Sequence, residues 1–392
     1  MVKISDRVAG LTAGAGDGWG IYHRARALEA AGTSIRNLTI GEHDIRTDPM
    51  ILHAMHAAAQ GGHTGYAALA GTTDLRDAIA ARVTERTGIR TTRDNVLVTP
   101  RGQAALFSAM MGAIEPGDEV LVPDPYYATY PGTIRAAGGI PVTVPTRPEA
   151  GFHPEAEALG LAVGERSRAV LVNTPNNPTG AVYGPDTLDA IAGVAEAHDL
   201  WIVSDEVYDT QLWSGAHLSL RALPGLSDRV LTVGSMSKSH AMTGSRIGWL
   251  IGPEPMISDL VVLATHTTYG VAGFIQDAAL HALTLGPDFE ARIAAPFRRR
   301  RDACMALLDS QDVVTAHPAS GAMYLMLDIR RTGLSAPDFA ARLLDDHRIA
   351  VMPGDSFGQS AAGHLRVALT LPDDLLLDAV KTLLAFAQEM VP

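Results

Sequence analysis

The chain has 392 residues, 47% of them hydrophobic, which is material for two or three domains with a large core. A formal net charge of −12 and an isoelectric point near 5.6 argue against nucleic acid or an anionic membrane as the main partner. A single cysteine, Cys304, excludes an intramolecular disulfide and fits a reducing, cytoplasmic compartment.

Met1 to Asp6 does not begin a signal peptide, and no apolar stretch reaches the length of a membrane span. His53 and His56 lie three apart on a predicted helix with His63 beyond. No cysteine or acidic ligand is placed to complete a zinc site, so no metal is expected. Gly61-Gly62 lacks the spacing of a dinucleotide fingerprint and follows no strand, which makes a nicotinamide enzyme a poor rival. From about Arg46 to Leu285, strand and helix patterns alternate as in a sheet covered on both faces.

Arg168 to Val172 is an apolar, strand-like run that ends in Asn173-Thr174-Pro175-Asn176-Asn177-Pro178-Thr179-Gly180, a strong chain breaker. Pro185 to His198 has the helical spacing of Leu188, Ile191, Ala192 and Ala195. Leu200 to Ser204 reads as the next buried strand, followed at its carboxyl end by Asp205-Glu206-Val207-Tyr208. In open α/β sheets the ligand crevice lies beyond the carboxyl ends of the strands. Asp205 therefore points into a site or caps a following helix, and the residues alone leave both readings open. A buried carboxylate needs a cation or a donor, and a pyridinium nitrogen is a suitable partner. Val230 to Val233 is a third such run; it delivers Ser235, Ser237 and Lys238, then Gly244-Ser245-Arg246-Ile247-Gly248-Trp249. A lysine amine can form a Schiff base with a carbonyl, while Ser235, Ser237 and Arg246 can offer donors and charge to a phosphate dianion. A plain turn is the competing reading of the same stretch.

From Gly286 a charged helix pattern runs through Arg301, and its basic run Arg298 to Arg301 is expected to be a solvated face. Short strands follow at Ala322 to Ile329, Ile349 to Met352 and Leu365 to Leu369, which marks a separate α+β unit.

With Asn176-Asn177-Pro178-Thr179-Gly180, Ser204-Asp205-Glu206-Val207-Tyr208, and Ser237-Lys238 with Gly244, Arg246, Gly248 and Trp249, the chain resembles the class I/II aminotransferases. These are pyridoxal 5'-phosphate enzymes of fold type I, and the resemblance runs from Ile40-Gly41-Glu42 to His364-Leu365-Arg366-Val367. It implies an α/β fold: a large domain with a mostly parallel central sheet covered by helices, plus a smaller α+β domain. The implied division is an N-terminal arm and part of the small domain over residues 1–45, a large cofactor-binding domain over 46–285, and a small C-terminal domain over 286–392. Gly14 to Trp19 would lie near the mouth of the site as an arm.

The same resemblance implies Lys238 as the Schiff-base lysine, Asp205 as partner of the pyridine nitrogen, and Asn177 and Tyr208 as contacts of the phenolic oxygen. Arg246, Ser235 and Ser237 would hold the phosphate from one side, and Arg101-Gly102-Gln103, opening a helix, from the other. Tyr127 matches the aromatic that stacks on the ring, with Tyr126 as the neighbour it could be confused with. Tyr66 would reach across a homodimer interface to the partner's phosphate. Gly41, Asn177 and Arg366 would bind the substrate α-carboxylate, the guanidinium by two parallel donors. The chain departs from the pattern at Arg101, where many relatives have glycine, at Ser245, where a large aromatic is frequent, and at His240. That histidine either titrates near neutrality beside the site or is packed structurally.

The activity so implied is ping-pong transfer of an amino group from an L-amino acid to a 2-oxo acid. The rivals on the same scaffold are a β-lyase and a non-catalytic sensor, although residues 1–40 leave no room for a DNA-binding module. The runs Ser237 to Gly244 and Asp328-Ile329 to Leu334-Ser335 are similar to arginine–pyruvate transaminases, which makes arginine a candidate donor and Asp17 a candidate anchor for its guanidinium.

Overall fold

The computed structural model describes residues 2–12 and 18–392, so Asp17 and the stretch Gly14 to Gly16 of the expected arm lie outside the described residues. In chain order the strands are β1 (Arg36–Asn37), β2 (Val96–Thr99), β3 (Glu119–Asp124), β4 (Ile140–Pro145), β5 (Ser167–Asn173), β6 (Trp201–Asp205) and β7 (Val230–Ser235). They continue as β8 (Gly248–Ile251), β9 (Thr315–Ala316), β10 (Tyr324–Asp328), β11 (Ile349–Ala350), β12 (Met352–Pro353) and β13 (His364–Ala368).

Seven strands form the central sheet in the order β2-β8-β7-β6-β5-β3-β4, parallel except for β8, which runs against both its neighbours. Its inner strands are apolar without alternation because helices cover both faces. Leu171 packs with Ala105, Ala109 and Ile134 from the helices Gly102–Ala113 and Tyr130–Ala136. Its neighbours Val170 and Val172 pack on the other side with Leu188, Ile191 and Ala195 of the helix Pro185–Ala197. Each buried valine, leucine or isoleucine among them contributes about 1.5–3 kcal/mol. The sheet edge at β2 and β8 is closed by the helices Thr73–Thr87 and Gly273–Thr284 through Leu75, Ile79, Ala278 and Ala282.

A second, antiparallel sheet has the order β12-β13-β10-β9, and β1 pairs in parallel with β11. Leu38, just after β1, is buried in the same cluster as Leu325, Val367 and the C-terminal helix residues Val380 and Leu383. The N-terminal segment thus folds onto the C-terminal part of the chain. The run Ile349 to Met352 divides at Val351 into β11 and β12, which join different sheets.

The helix Gly286–Leu308 serves both halves: Phe289 and Ile293 pack in the cluster beneath β2 and β8, whereas Phe297, Cys304 and Leu308 pack in the C-terminal one. Its basic run is not wholly a solvated face. Arg300 is buried and donates to Asp44 Oδ2 at 2.6 Å, Asp373 Oδ1 at 2.8 Å and Leu369 O at 3.1 Å, which ties this helix to the N-terminal segment and the C-terminal helix. A guanidinium with three acceptors can be buried there at modest cost.

Candidate active site

The parallel register aligns Asn173 of β5 with Asp205 of β6, and Asp205 with Val233 of β7, so three polar turns leave the sheet side by side. Beyond them lies a cavity of about 370 Å³ lined by Gly41, Arg101, Gly102, Gln103, Tyr127, Asn177, Asp205, Tyr208, Ser235, Ser237, Lys238 and Arg246. Twelve of the residues singled out from the sequence therefore meet in one place. A larger cavity of about 730 Å³ shares Arg101 and Gln103 but reaches none of Lys238, Asp205 or Asn177. Tyr126 lines that outer space while Tyr127 lines the inner one, which separates the two candidates. Tyr66 does not reach the cavity; it is 91% exposed and meets Tyr269 edge-on at 5.2 Å.

Asp205 is followed by a turn rather than a helix, so it is no N-cap. Its Oδ2 accepts a 2.6 Å bond from the Tyr130 hydroxyl and its Oδ1 a 3.3 Å bond from the Val207 N–H. Burial pushes its carboxyl up to about 6, against the pull of those two donors. The Asn173-to-Gly180 turn is fixed by its own amides: Asn173 Oδ1 accepts from the Asn177 N–H at 2.7 Å, and Asn176 Oδ1 from the Thr179 hydroxyl at 2.7 Å.

Lys238 follows Ser235, whose hydroxyl accepts the Ser237 N–H at 3.1 Å and so starts the short helix Met236–Ser239. The lysine Nζ donates to Gly41 O. Burial brings its amine down to about 8; Glu42 opposes the shift, while Arg366 and Arg246 add to it.

Arg366 does not line the cavity itself but lies directly behind Asn177 and Tyr324. Its guanidinium stacks between the rings of Tyr324 at 4.5 Å and Phe357 at 4.3 Å, donates to Asn177 Oδ1 at 2.8 Å and to Thr39 O, and leaves Nε without an acceptor. An unpaired donor on a fully buried cation suits an anionic partner. Tyr324 also places its hydroxyl 3.0 Å from that of Tyr208.

Toward the other end, the helix Gly102–Ala113 points its first N–H groups into the cavity, and its first turn leaves them without intrahelical acceptors. The Arg101 N–H is already taken by Thr99 O at 2.8 Å. The Gln103 amide is turned outward to Thr129 and Thr133. Arg246 donates to Thr243 O and, among the described residues, has no carboxylate within ion-pair distance. His240 is packed structurally: its ring stacks on Phe289 at 5.5 Å, Nδ1 meets Ser239 Oγ at 2.8 Å, and burial takes it down to about 3. His63 meets Asp277 at 2.7 Å, and no group of metal-binding side chains occurs among the described residues.

Tyr130, Tyr324 and Phe357 were not legible as site residues. Tyr127 and Tyr130 three apart were a usable signal, because a turn entering a helix sets both rings on one side. Tyr324 and Phe357 sit in apolar runs that read as core.

An amine that burial lowers to about 8, a buried carboxylate lining the same cavity, helix-start amides and two arginines, Arg101 and Arg246, form a donor set that fits pyridoxal phosphate. The sequence profile of aminotransferase class I and II matches residues 33–383. The chain belongs to the class I and II aminotransferases. An arginine–pyruvate transaminase of Pseudomonas aeruginosa is 42% identical over 96% of this chain and 97% of its own. An aspartate/prephenate aminotransferase of Thermus thermophilus is 37% identical over 91% and 92%. A solved aspartate aminotransferase from the same organism, with maleate, superposes at a TM-score of 0.92 with 34% identity, over 98% of this chain and all of that one. The protein is thus a pyridoxal-phosphate-dependent aminotransferase of fold type I, transferring an amino group between an amino acid and a 2-oxo acid. These relatives favour neither the lyase nor the sensor.

Proposed function

We propose that Lys238 is the residue that holds the cofactor and moves the proton, with Asp205 at the ring nitrogen, Asn177 and Tyr208 at the phenolic oxygen and Tyr127 against the ring. Gly102, Gln103, Ser235, Ser237 and Arg246 hold the phosphate, and Arg366 with the Gly41 N–H and Asn177 receives the substrate α-carboxylate. The observation that carries this reading is the convergence of Lys238, Asp205 and Asn177 from three adjacent strand ends on one cavity. The cofactor, when bound, supplies an electron sink that weakens the C–H bond at the α-carbon. Lys238 Nζ, with its pKa drawn down to about 8, is a base that can take the α-proton near neutrality and return it. Asp205 presents a negative charge, oriented by Tyr130, that favours a protonated ring nitrogen. Arg366, already ordered between two rings, offers its guanidinium to a carboxylate without further loss of side-chain freedom.

The donor we assign is arginine and the acceptor pyruvate. The 42% relative is named for that pair, and Glu42 puts a carboxylate at the cavity rim that suits a guanidinium. The working form is a cytoplasmic homodimer in which Tyr66 completes the partner's site. The exposed Tyr66–Tyr269 pair and the buried, unpaired Cys304 support that picture. Among the described residues no helix is long and apolar enough to cross a membrane. The chain divides at 45/46 and 285/286, a reading supported by the core cluster that Leu325, Val367 and Val380 form with Leu38, distinct from that of the central sheet, while Phe289 and Ile293 still pack with the large domain.

The test is a screen of half-reactions: the cofactor-loaded protein is mixed with each amino acid without acceptor, and its visible absorption is followed. Loss of the band with arginine but not with aspartate is the expected result; the reverse overturns the donor, and no band at all overturns Lys238.

A further inference from the structure

Arg101 has φ 80° and ψ 163°, a region of backbone space that is essentially reserved for glycine. The conformation is enforced by its surroundings. The Arg101 N–H is bonded to Thr99 O and its carbonyl accepts the Thr99 hydroxyl at 3.0 Å. Strand β8 presses against the same turn so closely that a Cβ on Gly248 would lie 2.9 Å from the Arg101 carbonyl carbon and the Gly102 nitrogen. A glycine at 101 would satisfy all of this without strain. The arginine is therefore carried at a cost to folding, and its side chain must account for it.

Arg101 is exposed and lines both the outer cavity and the inner one, in the latter beside Gly102, Ser235, Ser237 and Arg246, the end assigned above to the phosphate. Among the described residues Arg101 makes no hydrogen bond or ion pair through its guanidinium, and Arg246 has no carboxylate partner either. Burial, and after it the nearby Arg101 guanidinium, weaken the hold of Arg246 on its own proton. Two like charges facing one cavity without a counter-ion are mutually unfavourable until a dianion lies between them.

The geometry points to the Arg101 guanidinium as a second cationic clamp on the cofactor phosphate, opposite Arg246, kept in a glycine-type conformation for that purpose. This rests on the assignment of the cavity above and adds a residue whose main chain cannot do the work, since its N–H is already used.

The experiment compares the full-length wild type with Arg101→Gly, Arg101→Ala and Arg101→Lys, each stripped of cofactor. They are titrated with pyridoxal 5'-phosphate and with pyridoxal, which lacks the phosphate, at two salt concentrations, and the melting temperature of each cofactor-free protein is recorded. Arg101→Gly is expected to weaken binding of pyridoxal 5'-phosphate by roughly tenfold or more and to leave pyridoxal unaffected. Its salt dependence becomes shallower, and the cofactor-free protein melts higher by about 2 °C. Arg101→Ala keeps the strain and loses the affinity; Arg101→Lys recovers part of it. Unchanged affinity in Arg101→Gly and Arg101→Ala, with a wild type that still prefers the phosphorylated ligand, overturns the clamp alone. A wild type that binds pyridoxal as tightly as its phosphate overturns the phosphate assignment and the clamp with it.

Discussion

Two clusters of charge flank the carboxyl ends of β6 and β7, and they are partnered in opposite ways. Behind the strands, Arg82 and Arg86 each meet both Glu290 and Asp209, while Glu206 accepts from Ser204 and Ser219 at 2.8 Å and meets His217 at 2.9 Å. In front, Lys238, Arg101 and Arg246 face the cavity, and among the described residues no carboxylate is in ion-pair contact with them. Neighbours in the chain are sorted between the two: Asp205 forward and Glu206 back, Tyr208 forward and Asp209 back, Lys238 forward and His240 back. Burial pushes the Asp209 carboxyl up, but Arg82 and Arg86 more than offset it and hold it below its ordinary value. Removing one partner from a buried pair costs several kcal/mol, whereas a cation left without one invites an anionic ligand. The rear cluster is accordingly structural, and the front one is built to be completed.

This contrast can be broken by substitution. Lys238→Ala should lower kcat by about a thousandfold or more, because base and cofactor anchor go together; single-turnover kinetics would report it. Appreciable transamination by that variant would falsify the assignment of Lys238. Arg366→Lys keeps the charge but loses the fork, and we expect KM for the amino acid to rise by about tenfold to a hundredfold with a smaller change in kcat. An unchanged KM would move the carboxylate elsewhere. Tyr130→Phe removes the donor to Asp205 and should lower kcat about tenfold, with the pH midpoint of the cofactor's absorption displaced; a displaced melting temperature without that spectral change would reduce Tyr130 to packing.

The rear cluster should answer the other way. Glu290→Gln is expected to destabilise the fold by about 2–4 kcal/mol, read in thermal melts, while kcat of the folded protein stays within about twofold. A large loss of kcat there would erase the distinction between the clusters. The smallest effect concerns pH. The Lys238 pKa in the folded, cofactor-free protein, about 8, lies below the unfolded value of 10.5, so the folded form binds fewer protons between them. Its contribution to stability is full above pH 10.5 and is lost as pH falls through about 8. Against Lys238→Met, cofactor-free wild type should therefore gain melting temperature as pH rises across that window; parallel curves would show that the amine is solvated.

The front cluster was largely legible because each of its main residues follows an apolar strand directly, and a polar turn after a buried strand has few other uses. Asn177, Asp205 and Lys238 were found that way, and the spacing of Leu188, Ile191 and Ala195 gave the intervening helix. Tyr130 and Tyr324 were not, since a tyrosine's ring reads as core and only tertiary packing reveals where its hydroxyl ends. The buried role of Arg300 was hidden for the converse reason: a run of four arginines reads as solvent-facing until Asp44 and Asp373, far apart in the chain, are brought to it. The pairing of β1 with β11 joins residues more than three hundred positions apart and leaves no local trace.

One packing detail also limits how this sequence can drift. A Cβ on Gly41 would lie 1.9 Å from the Tyr324 hydroxyl, which itself is bonded to Tyr208 and stacked on Arg366. Any lineage that retains this tyrosine inherits position 41 as glycine, and alanine there becomes accessible only after position 324 has first been reduced. The order of change is thereby set in advance, so the histories of two positions nearly three hundred residues apart are bound together.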